Sequence, residues 1–158
     1  MNVHIEQASD ADGPTILKLL RDNGLPIDGV LDHLTTAFTA RDGAAIVGCA
    51  ALEVYPDGAL LRSVVVASAL RGHGLGARLA DSAVTLAKSL GTPAVYLLTT
   101  TAESYFPRFG FVPITREQVP PGVQQSIEFL SACPASAIVM RRDLDETAAE
   151  RARTSIRS

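Results

Sequence analysis

The stretch VVVASALRGHGLGARLADSAVTLAKSLG, residues 64–91, decides the fold. Its three valines are typical of a buried strand, and its leucines and alanines then recur at the three- and four-residue spacing of an amphipathic helix. Gly91 stands where a helix commonly ends. Between strand and helix lies RGHGLG, residues 71–76. A glycine-rich loop leading into a helix N-terminus presents backbone N–H groups to an anion, so this segment predicts a phosphate site.

Three phosphate-binding motifs compete for that loop. A Walker A loop needs Lys-Ser or Lys-Thr after its last glycine, and neither follows here. A dinucleotide fingerprint would use Gly72, Gly74 and Ala77, but that motif belongs to the first strand–helix unit and needs an acidic residue after the next strand. Here that strand ends in LLTTT, residues 97–101. The third pattern, R-x-x-G-x-G from Arg71, predicts a pyrophosphate seat. A glycine-rich helix start without function is the remaining alternative.

The composition of the chain excludes several classes of protein. With 158 residues, 47% hydrophobic, and a formal net charge of -3, the sequence predicts one globular domain and not a nucleic-acid binder. Cys49 and Cys133 match no metal-binding spacing, so we predict no metal and two reduced packing thiols. The amino terminus lacks a signal-peptide pattern, and no stretch approaches the ~18 apolar residues of a membrane span. We therefore expect a cytoplasmic protein without a membrane partner.

The chain outside residues 64–91 supplies a predictable order of elements. A strand at 3–8 and a helix at 9–24 are followed by a loop and short helix at 25–34. Three strands then fill 35–68, with hairpin turns at RDG and PDG. After the central helix we predict a strand, a short helix, a polar excursion and a closing strand, at 93–101, 102–109, 115–134 and 135–144. This order predicts an α+β domain over residues 1–142, with a frayed or disordered polar tail at 143–158.

Two motifs carry a resemblance to a known family. Residues 66–79 resemble V-x-x-x-x-R-G-x-G-[IL]-G-x-x-L, the acetyl-CoA motif of the GNAT family of N-acetyltransferases. A second signature, A-x-x-[FY]-[FY]-x-x-x-GF, matches residues 102–111. The resemblance covers roughly residues 3–142. It implies an acyltransferase with a mixed, mostly antiparallel sheet that is splayed at an acetyl-CoA cleft and flanked by helices.

The resemblance also implies which residues hold the cosubstrate acetyl-CoA. The backbone of Val64 and Val66 would pair with the pantetheine arm like an added strand. The pyrophosphate would lie on the following loop, formed by Arg71, Gly72, His73, Gly74, Leu75, Gly76 and Ala77. We expect the side chain of His73 to point to solvent.

The catalytic residues of the family are only partly matched. The family's usual tyrosine acid falls on Phe106, and Tyr105 is about 100° away on a helix. Tyr105 is the candidate acid if Pro107 shifts the turn, and core packing is its alternative. The family's strand glutamate is replaced by arginine and serine, and the carboxylate of that sheet is Glu53. Glu53 is the candidate base or ammonium contact, and its alternative is an ion pair with Arg62 or a solvated position near the turn.

Finer resemblances narrow the acceptor. LLTTTAESYF and CPASAIVM are similar to amino-acid acetyltransferases of the N-acetylglutamate synthase type and, more closely, to arsenic-resistance-associated GNAT proteins. Both resemblances imply that the acetyl acceptor is a small amino acid such as glutamate, or a glutamate-like toxin such as phosphinothricin or arsinothricin. Arg62 could offer a bidentate fork to the acid, and Thr99, Thr100 and Thr101 could supply hydroxyls beside the acetyl group. Packing of β-branched side chains is the alternative for the threonines.

The expected reaction is direct attack of the amine in a ternary complex, with Cys133 as the alternative nucleophile of an acyl-enzyme route. Two other functions stay open. Loss of the usual tyrosine and strand glutamate is what a non-catalytic acyl-CoA sensor would show. A protein or peptide N-acetyltransferase would need an open groove, whereas residues 25–30 and 119–126 look like lids over a small acceptor. Homodimers are common in the family, and nothing in the sequence argues against one.

Overall fold

A seven-stranded sheet forms the centre of the protein in a computed structural model, which describes residues 2–100, 102, 104–132 and 136–144. The strands are β1 Val3–Gln7, β2 Ala37–Asp42, β3 Ala45–Tyr55, β4 Gly58–Val66, β5 Ala94–Thr99, β6 Val112–Ile114 and β7 Ile138–Asp143. Their order across the sheet is β1-β2-β3-β4-β5-β7-β6. Every neighbouring pair is antiparallel except β4 and β5. The predicted mixed, mostly antiparallel sheet is therefore confirmed.

Local sequence signals explain the first half of the sheet. β2, β3 and β4 form consecutive hairpins, and their turns fall at the predicted RDG and PDG segments. Gly43 has a φ of 62°, a left-handed conformation that glycine adopts without a Cβ clash. These three strands follow one another in the sequence, and the short turns set how they pair. One edge of β4 pairs with β3, and the other edge is available to pair with β5.

Two helices cover opposite faces of the sheet. The longer one, α2 Leu75–Ser89, buries Leu75, Leu79 and Ala83 against a core that includes Leu52 of β3. The other, α1 Gly13–Asp22, packs against a separate cluster that includes Ala51. Because side chains alternate between the faces of a strand, Leu52 packs in the cluster under α2 and its neighbour Ala51 packs in the cluster under α1.

The parallel pair β4–β5 opens into a cleft. These strands pair only at Ala59–Val95 and Leu60–Tyr96, and no other described residue pairs with β4 on that edge. A break in register between β3 and β4 places two residues of β4, Ser63 and Val64, opposite one residue of β3. Such a bulge bends the strand that carries the extra residue. Ser63 has a φ of 60°, which is costly for a residue with a side chain.

Two of the predicted segments form short turns. The short helix expected within residues 25–34 is a 3₁₀ segment, Val30–Thr36, that runs two residues further. The polar excursion folds into a 3₁₀ turn, the four-residue α3 Pro121–Gln124, and a π-helical turn, Glu128–Ala132. The strand β7 continues to Asp143, one residue past the predicted domain boundary. Thr101, Cys133 and residues 145–158 lie outside the described residues. Within the described ranges, no helix is both long and apolar enough to span a bilayer.

Candidate active site

The glycine-rich loop forms a turn that exposes the start of α2. After a short 3₁₀ turn, Gly72 and Gly74 take left-handed φ values of 88° and 78°. Gly74 is the N-cap of α2, so the N–H groups of the first helical turn have no partner within the helix. Aligned peptide dipoles add a partial positive charge there. The loop and the helix start can therefore bind an anionic group.

A groove of about 480 Å³ lies beside this helix start. Of the nine residues predicted to bind the coenzyme, the structure brings eight together along it: Val64, Val66, Arg71, Gly72, Gly74, Leu75, Gly76 and Ala77. The ninth, His73, is exposed and is not part of the groove wall. Sequence reasoning missed Arg108 and Phe109, which also line it.

Arg71 stands at the rim of this groove. Its Nε donates to the carbonyl of Val66 at 3.2 Å, and its Nη2 donates to Asn23 Oδ1 at 2.6 Å. Asn23 directly follows α1, so the arginine ties the glycine-rich loop to the helix on the far face of the sheet. The guanidinium is held at an exposed position where an anion can approach it.

Tyr105 lies on the groove side of the cleft, against the start of α2. A Cβ built on Gly76 would lie 3.0 Å from the Tyr105 hydroxyl, so a larger residue at this position would have to displace the phenol by a few tenths of an ångström. The guanidinium of Arg108 stacks over the tyrosine ring at 4.7 Å from its centroid. Phe106 and Phe109 contact the same ring edge-on. Tyr105 and Phe106 face different spaces: Tyr105 lines this groove, whereas Phe106 is buried in the wall of a second cavity, described next.

The second cavity, of about 570 Å³, opens between the unpaired parts of β4 and β5. The predicted residues Arg62, Thr99 and Thr100 line it, together with residues 24–26 and Glu128. Thr99 Oγ1 accepts a hydrogen bond from the N–H of Ala102 at 2.9 Å, which holds the end of β5. We call this space the acceptor cavity. Val64 lines both the groove and the acceptor cavity, so the two spaces meet at the bulge of β4.

Arg62 is the centre of a buried polar cluster at the floor of the acceptor cavity. Its side chain is fully enclosed. Its nitrogens lie within 3.4 Å of five oxygens: Asp28 O at 2.7 Å, Glu53 Oε2 at 2.8 Å, Ser63 Oγ at 3.1 Å, Glu128 Oε1 at 3.2 Å and Pro26 O at 3.4 Å. The arginine thus joins β3, the segment at 26–28 and the segment after α3.

Glu53 is wholly buried and contacts Arg62 across the antiparallel pair β3–β4. Burial alone raises the pKa of its carboxyl. Hydrogen bonds from Arg62, Tyr55 and Ser126 outweigh burial, so the pKa lies below its usual value. In turn, burial and the hydrogen bond to Glu53 raise the pKa of the Tyr55 phenol. Glu53 is the ionised partner of Arg62, and it is not part of the wall of either cavity.

Two further residues complete the description of the site. His33 Nε2 lies 3.8 Å from Glu53 Oε1, on the side of the cluster nearer to solvent. Cys49 packs beneath the bulge, where its Sγ is 3.4 Å from the carbonyl oxygen of Ser63. Burial raises the pKa of the Cys49 thiol to about 12, which keeps it protonated and unreactive.

Comparison with known proteins identifies the class that this fold and site define. Residues 6–111, more than half of the chain, match the family model described as Acetyltransferase (GNAT) family. The chain therefore belongs to the GNAT acetyltransferase family. The matched range contains the glycine-rich loop, Glu53, Arg62 and Tyr105, but it ends before Glu128.

Individual relatives are similar over part of the chain. An amino-acid acetyltransferase of Mycobacterium tuberculosis is 39% identical over 70 residues, which cover 44% of this chain and 40% of that protein. An uncharacterised N-acetyltransferase of Chlorobaculum tepidum is 27% identical over 95 residues, 60% of this chain and 61% of that protein. Both matches thus span less than two thirds of the relative.

Among solved structures, N-acetylglutamate synthase of Neisseria gonorrhoeae, in complex with coenzyme A and N-acetyl-glutamate, superposes with a TM-score of 0.77. The match covers 91% of this chain and 35% of the synthase, at 21% sequence identity. At this identity the likeness establishes a shared fold.

Proposed function

We propose that this protein is an acetyl-CoA-dependent N-acetyltransferase that moves an acetyl group to the amine of a small acceptor. One observation carries the proposal: the groove at the glycine-rich loop and the acceptor cavity meet at Val64, beside the bulge of β4. A donor held in the groove would end where an acceptor in the other cavity begins. Membership of the GNAT family supports the same activity.

The groove fits the chemical parts of coenzyme A. Nothing lies within 4 Å of a Cβ built on Gly72 or Gly74, so a diphosphate could approach this backbone closely. The free edge of β4 beyond Leu60 offers backbone donors and acceptors to the amides of the pantetheine arm, as an added strand would use them. We assign the diphosphate to the loop at 71–77 and the arm to Val64 and Val66.

The acetyl thioester of the bound coenzyme supplies an activated acyl group. The chain then has to orient the amine, accept its proton and stabilise negative charge on the acyl oxygen. A bulge leaves one residue out of the strand ladder, so a backbone N–H at Ser63 or Val64 is a candidate donor to that oxygen. Attack in a ternary complex needs no protein nucleophile, and the buried thiol of Cys49 offers none.

Glu53 and Tyr105 are our candidates for base and acid, with different support. Tyr105 lies in the groove beside the start of α2, where its hydroxyl could contact the coenzyme or protonate a leaving thiolate. Glu53 is separated from the acceptor cavity by Arg62, and its low pKa makes it a weak base. Glu53 would therefore act on the acceptor only through the buried cluster.

We propose an amino acid as the acceptor, glutamate or a glutamate-like toxin such as phosphinothricin or arsinothricin. Similarity to an amino-acid acetyltransferase supports the class of acceptor. The fold is shared with a synthase that was solved with N-acetyl-glutamate. A cavity of about 570 Å³ suits an acceptor of this size. The arsenic-resistance assignment depends on the sequence resemblance alone.

The test is thiol release from acetyl-CoA with a panel of amino acids, amines and a peptide, with coenzyme binding measured separately by calorimetry. We expect CoA to bind and free amino acids to be turned over faster than the peptide. Tight CoA binding without turnover of any amine would favour the sensor alternative. If neither CoA nor acetyl-CoA gave a heat of association, the proposal would be wrong.

A further inference from the structure

The segment that leaves α1 forms part of the wall of the acceptor cavity. We call residues 23–28 the connecting segment, and its residues 24–26 line that cavity. The carbonyls of Pro26 and Asp28 accept hydrogen bonds from Arg62 at 3.4 Å and 2.7 Å. An arginine of the acceptor cavity therefore fixes the far end of the connecting segment.

Asn23 fixes the near end of the connecting segment. Its Nδ2 donates to the carbonyl of Leu19 at 2.8 Å, which turns the amide so that its Oδ1 faces Arg71. Arg71 Nη2 donates to that oxygen at 2.6 Å. Gly24 follows with a left-handed φ of 70° and turns the chain from α1 into the cavity wall. Because Arg71 lines the groove, one hydrogen bond links the groove to the wall of the acceptor cavity.

Arg71 can keep this hydrogen bond and bind an anion at the same time. A guanidinium has five N–H donors. Within the described part of the chain, one donor of Nη2 faces Asn23 and the Nε donor faces the carbonyl of Val66. Both donors of Nη1 and one of Nη2 are left for the diphosphate that we assign to the loop. A bound diphosphate would therefore hold the guanidinium without displacing Asn23.

The free energy of the bond between Arg71 and Asn23 depends on whether the guanidinium is already fixed. The bond is exposed to solvent. At such a position, holding a long side chain in one rotamer offsets much of what a hydrogen bond contributes. Once a diphosphate has fixed the guanidinium, that loss of rotamer freedom no longer opposes the contact with Asn23. The bond would then form more completely and hold the connecting segment where it lines the cavity.

We propose that Asn23 is a positioning residue through which coenzyme binding strengthens acceptor binding. The inference rests on the proposed function, and it assigns how the occupant of the groove regulates the acceptor cavity. Bound CoA fixes Arg71, Arg71 fixes Asn23, and Asn23 fixes the start of the cavity wall at Gly24. Coupling between two ligands is reciprocal, so the acceptor tightens CoA binding by the same factor.

Calorimetry on the wild-type protein is the first test and needs no variant. It measures the Kd of CoA with and without saturating L-glutamate, and the Kd of L-glutamate with and without saturating CoA. If turnover shows that another amino acid is the better acceptor, that amino acid replaces L-glutamate. We expect each ligand to tighten the binding of the other about fivefold or more. Independent binding of the two ligands would overturn the inference.

Two substitutions at Asn23 separate the link to Arg71 from the end of α1. Asn23→Ala loses both side-chain hydrogen bonds, whereas Asn23→Asp loses the donor to Leu19 and keeps an oxygen for Arg71. We expect the coupling to fall below about twofold in Asn23→Ala and to persist in Asn23→Asp, since one hydrogen bond carries it. Asp22→Ala, at the neighbouring exposed position of α1, is the matched control and should keep full coupling.

Turnover gives an independent readout. Since the coupling acts on acceptor binding, Asn23→Ala should raise the acceptor KM by the lost factor with little change in kcat. Undiminished coupling in Asn23→Ala, or its loss in Asn23→Asp or Asp22→Ala, would overturn the inference, while turnover by the wild type would still uphold the proposed function. Failure of the wild type to turn over any amine would overturn both.

Discussion

Arg62 joins three parts of the protein that come from distant stretches of the chain. It faces Glu53 on β3, the carbonyls of Pro26 and Asp28, and Glu128 after α3. Since a buried ion pair gains little net stability after desolvation, its main effect is to fix geometry. Arg62 thereby fixes the positions of residues 26–28 and of Glu128, which surround the acceptor cavity, relative to β4.

The ionisation of Glu53 predicts how stability depends on pH. Its pKa is lower in the folded chain than in the unfolded one, so its contribution is present at neutral pH and is lost as the pH falls through the acidic range. Glu53→Gln removes this titration. We expect the variant to be about 1.5–3 kcal/mol less stable at pH 7, because hydrogen bonds to a charged group are lost. The gap to wild type should shrink as the pH is lowered.

Urea unfolding at neutral and acidic pH measures this gap, with Glu117→Gln as the exposed control. A constant difference between wild type and Glu53→Gln across the pH range would contradict the assignment. The same variant also tests the base role. A fall of kcat by about 10²–10⁴ at unchanged acceptor KM would support Glu53 as base, whereas an unchanged kcat would remove it from that role.

At the scale of elements, the bulge of β4 is the feature that brings the two cavities together. It lies where β4 leaves β5 and where the groove meets the acceptor cavity. Ser63 adopts its left-handed φ because the flanking pairs with β3, Arg62–Ala51 and Val65–Cys49, fix both sides of the bulge. The strain is therefore carried by the sheet itself.

A pair of substitutions isolates that backbone strain. Ser63→Gly and Ser63→Ala both lose the hydroxyl that faces Arg62, but only glycine accepts a positive φ freely. We expect Ser63→Gly to be about 1 kcal/mol more stable than Ser63→Ala. In ordinary strand positions the order is reversed, and Ala45→Gly at the start of β3 should therefore destabilise the protein. Equal stabilities of the two Ser63 variants, by urea unfolding, would argue against a strained bulge.

The start of α2 gives a second prediction at this scale. A Cβ on Gly76 would meet the Tyr105 hydroxyl at 3.0 Å. Gly76→Ala should therefore displace the phenol, narrow the groove and weaken CoA binding about tenfold, while the helix itself tolerates alanine well. In the Gly76→Ala, Tyr105→Phe double variant the clash is relieved, so affinity should partly return. Calorimetry with CoA measures both, and Ser82→Ala on the same helix is the control. Additive effects of the two substitutions would show that the residues do not interact.

The sequence predicted the elements that depend on local signals and missed features that depend on distant contacts. The hairpin turns, the helix that ends before Gly91 and the apolar β5 follow from neighbouring residues. The splay of β4 from β5 was expected from the family resemblance and not from local signals, because it depends on where two strands far apart in sequence stop pairing. Glu128 could not be singled out, because a glutamate in a polar, proline-containing segment reads as exposed until that segment folds over Arg62. The one signal in the sequence was that Glu128 lies between apolar residues, in the stretch IEFL at 127–130.

At the scale of the whole molecule, the groove is built from β4, α2 and residues 105–109, which lie far apart along the chain. A ligand that contacts all three parts can bind only the folded state and not the unfolded chain. Its binding free energy therefore adds to the free energy of unfolding. At 100 times its Kd, a ligand stabilises the folded state by about 2.7 kcal/mol. For a domain of this size that is a rise in Tm of about 5–10 °C.

We therefore expect CoA at saturating concentration to raise Tm by this amount in a single cooperative transition. Adenosine lacks the diphosphate and the pantetheine arm, so at the same concentration it should leave Tm unchanged. Gly76→Ala should show a smaller rise, in proportion to its weaker binding. Differential scanning calorimetry measures all three. An equal rise with adenosine would place the binding energy on the nucleoside, and the glycine-rich loop would then not be the seat of the diphosphate.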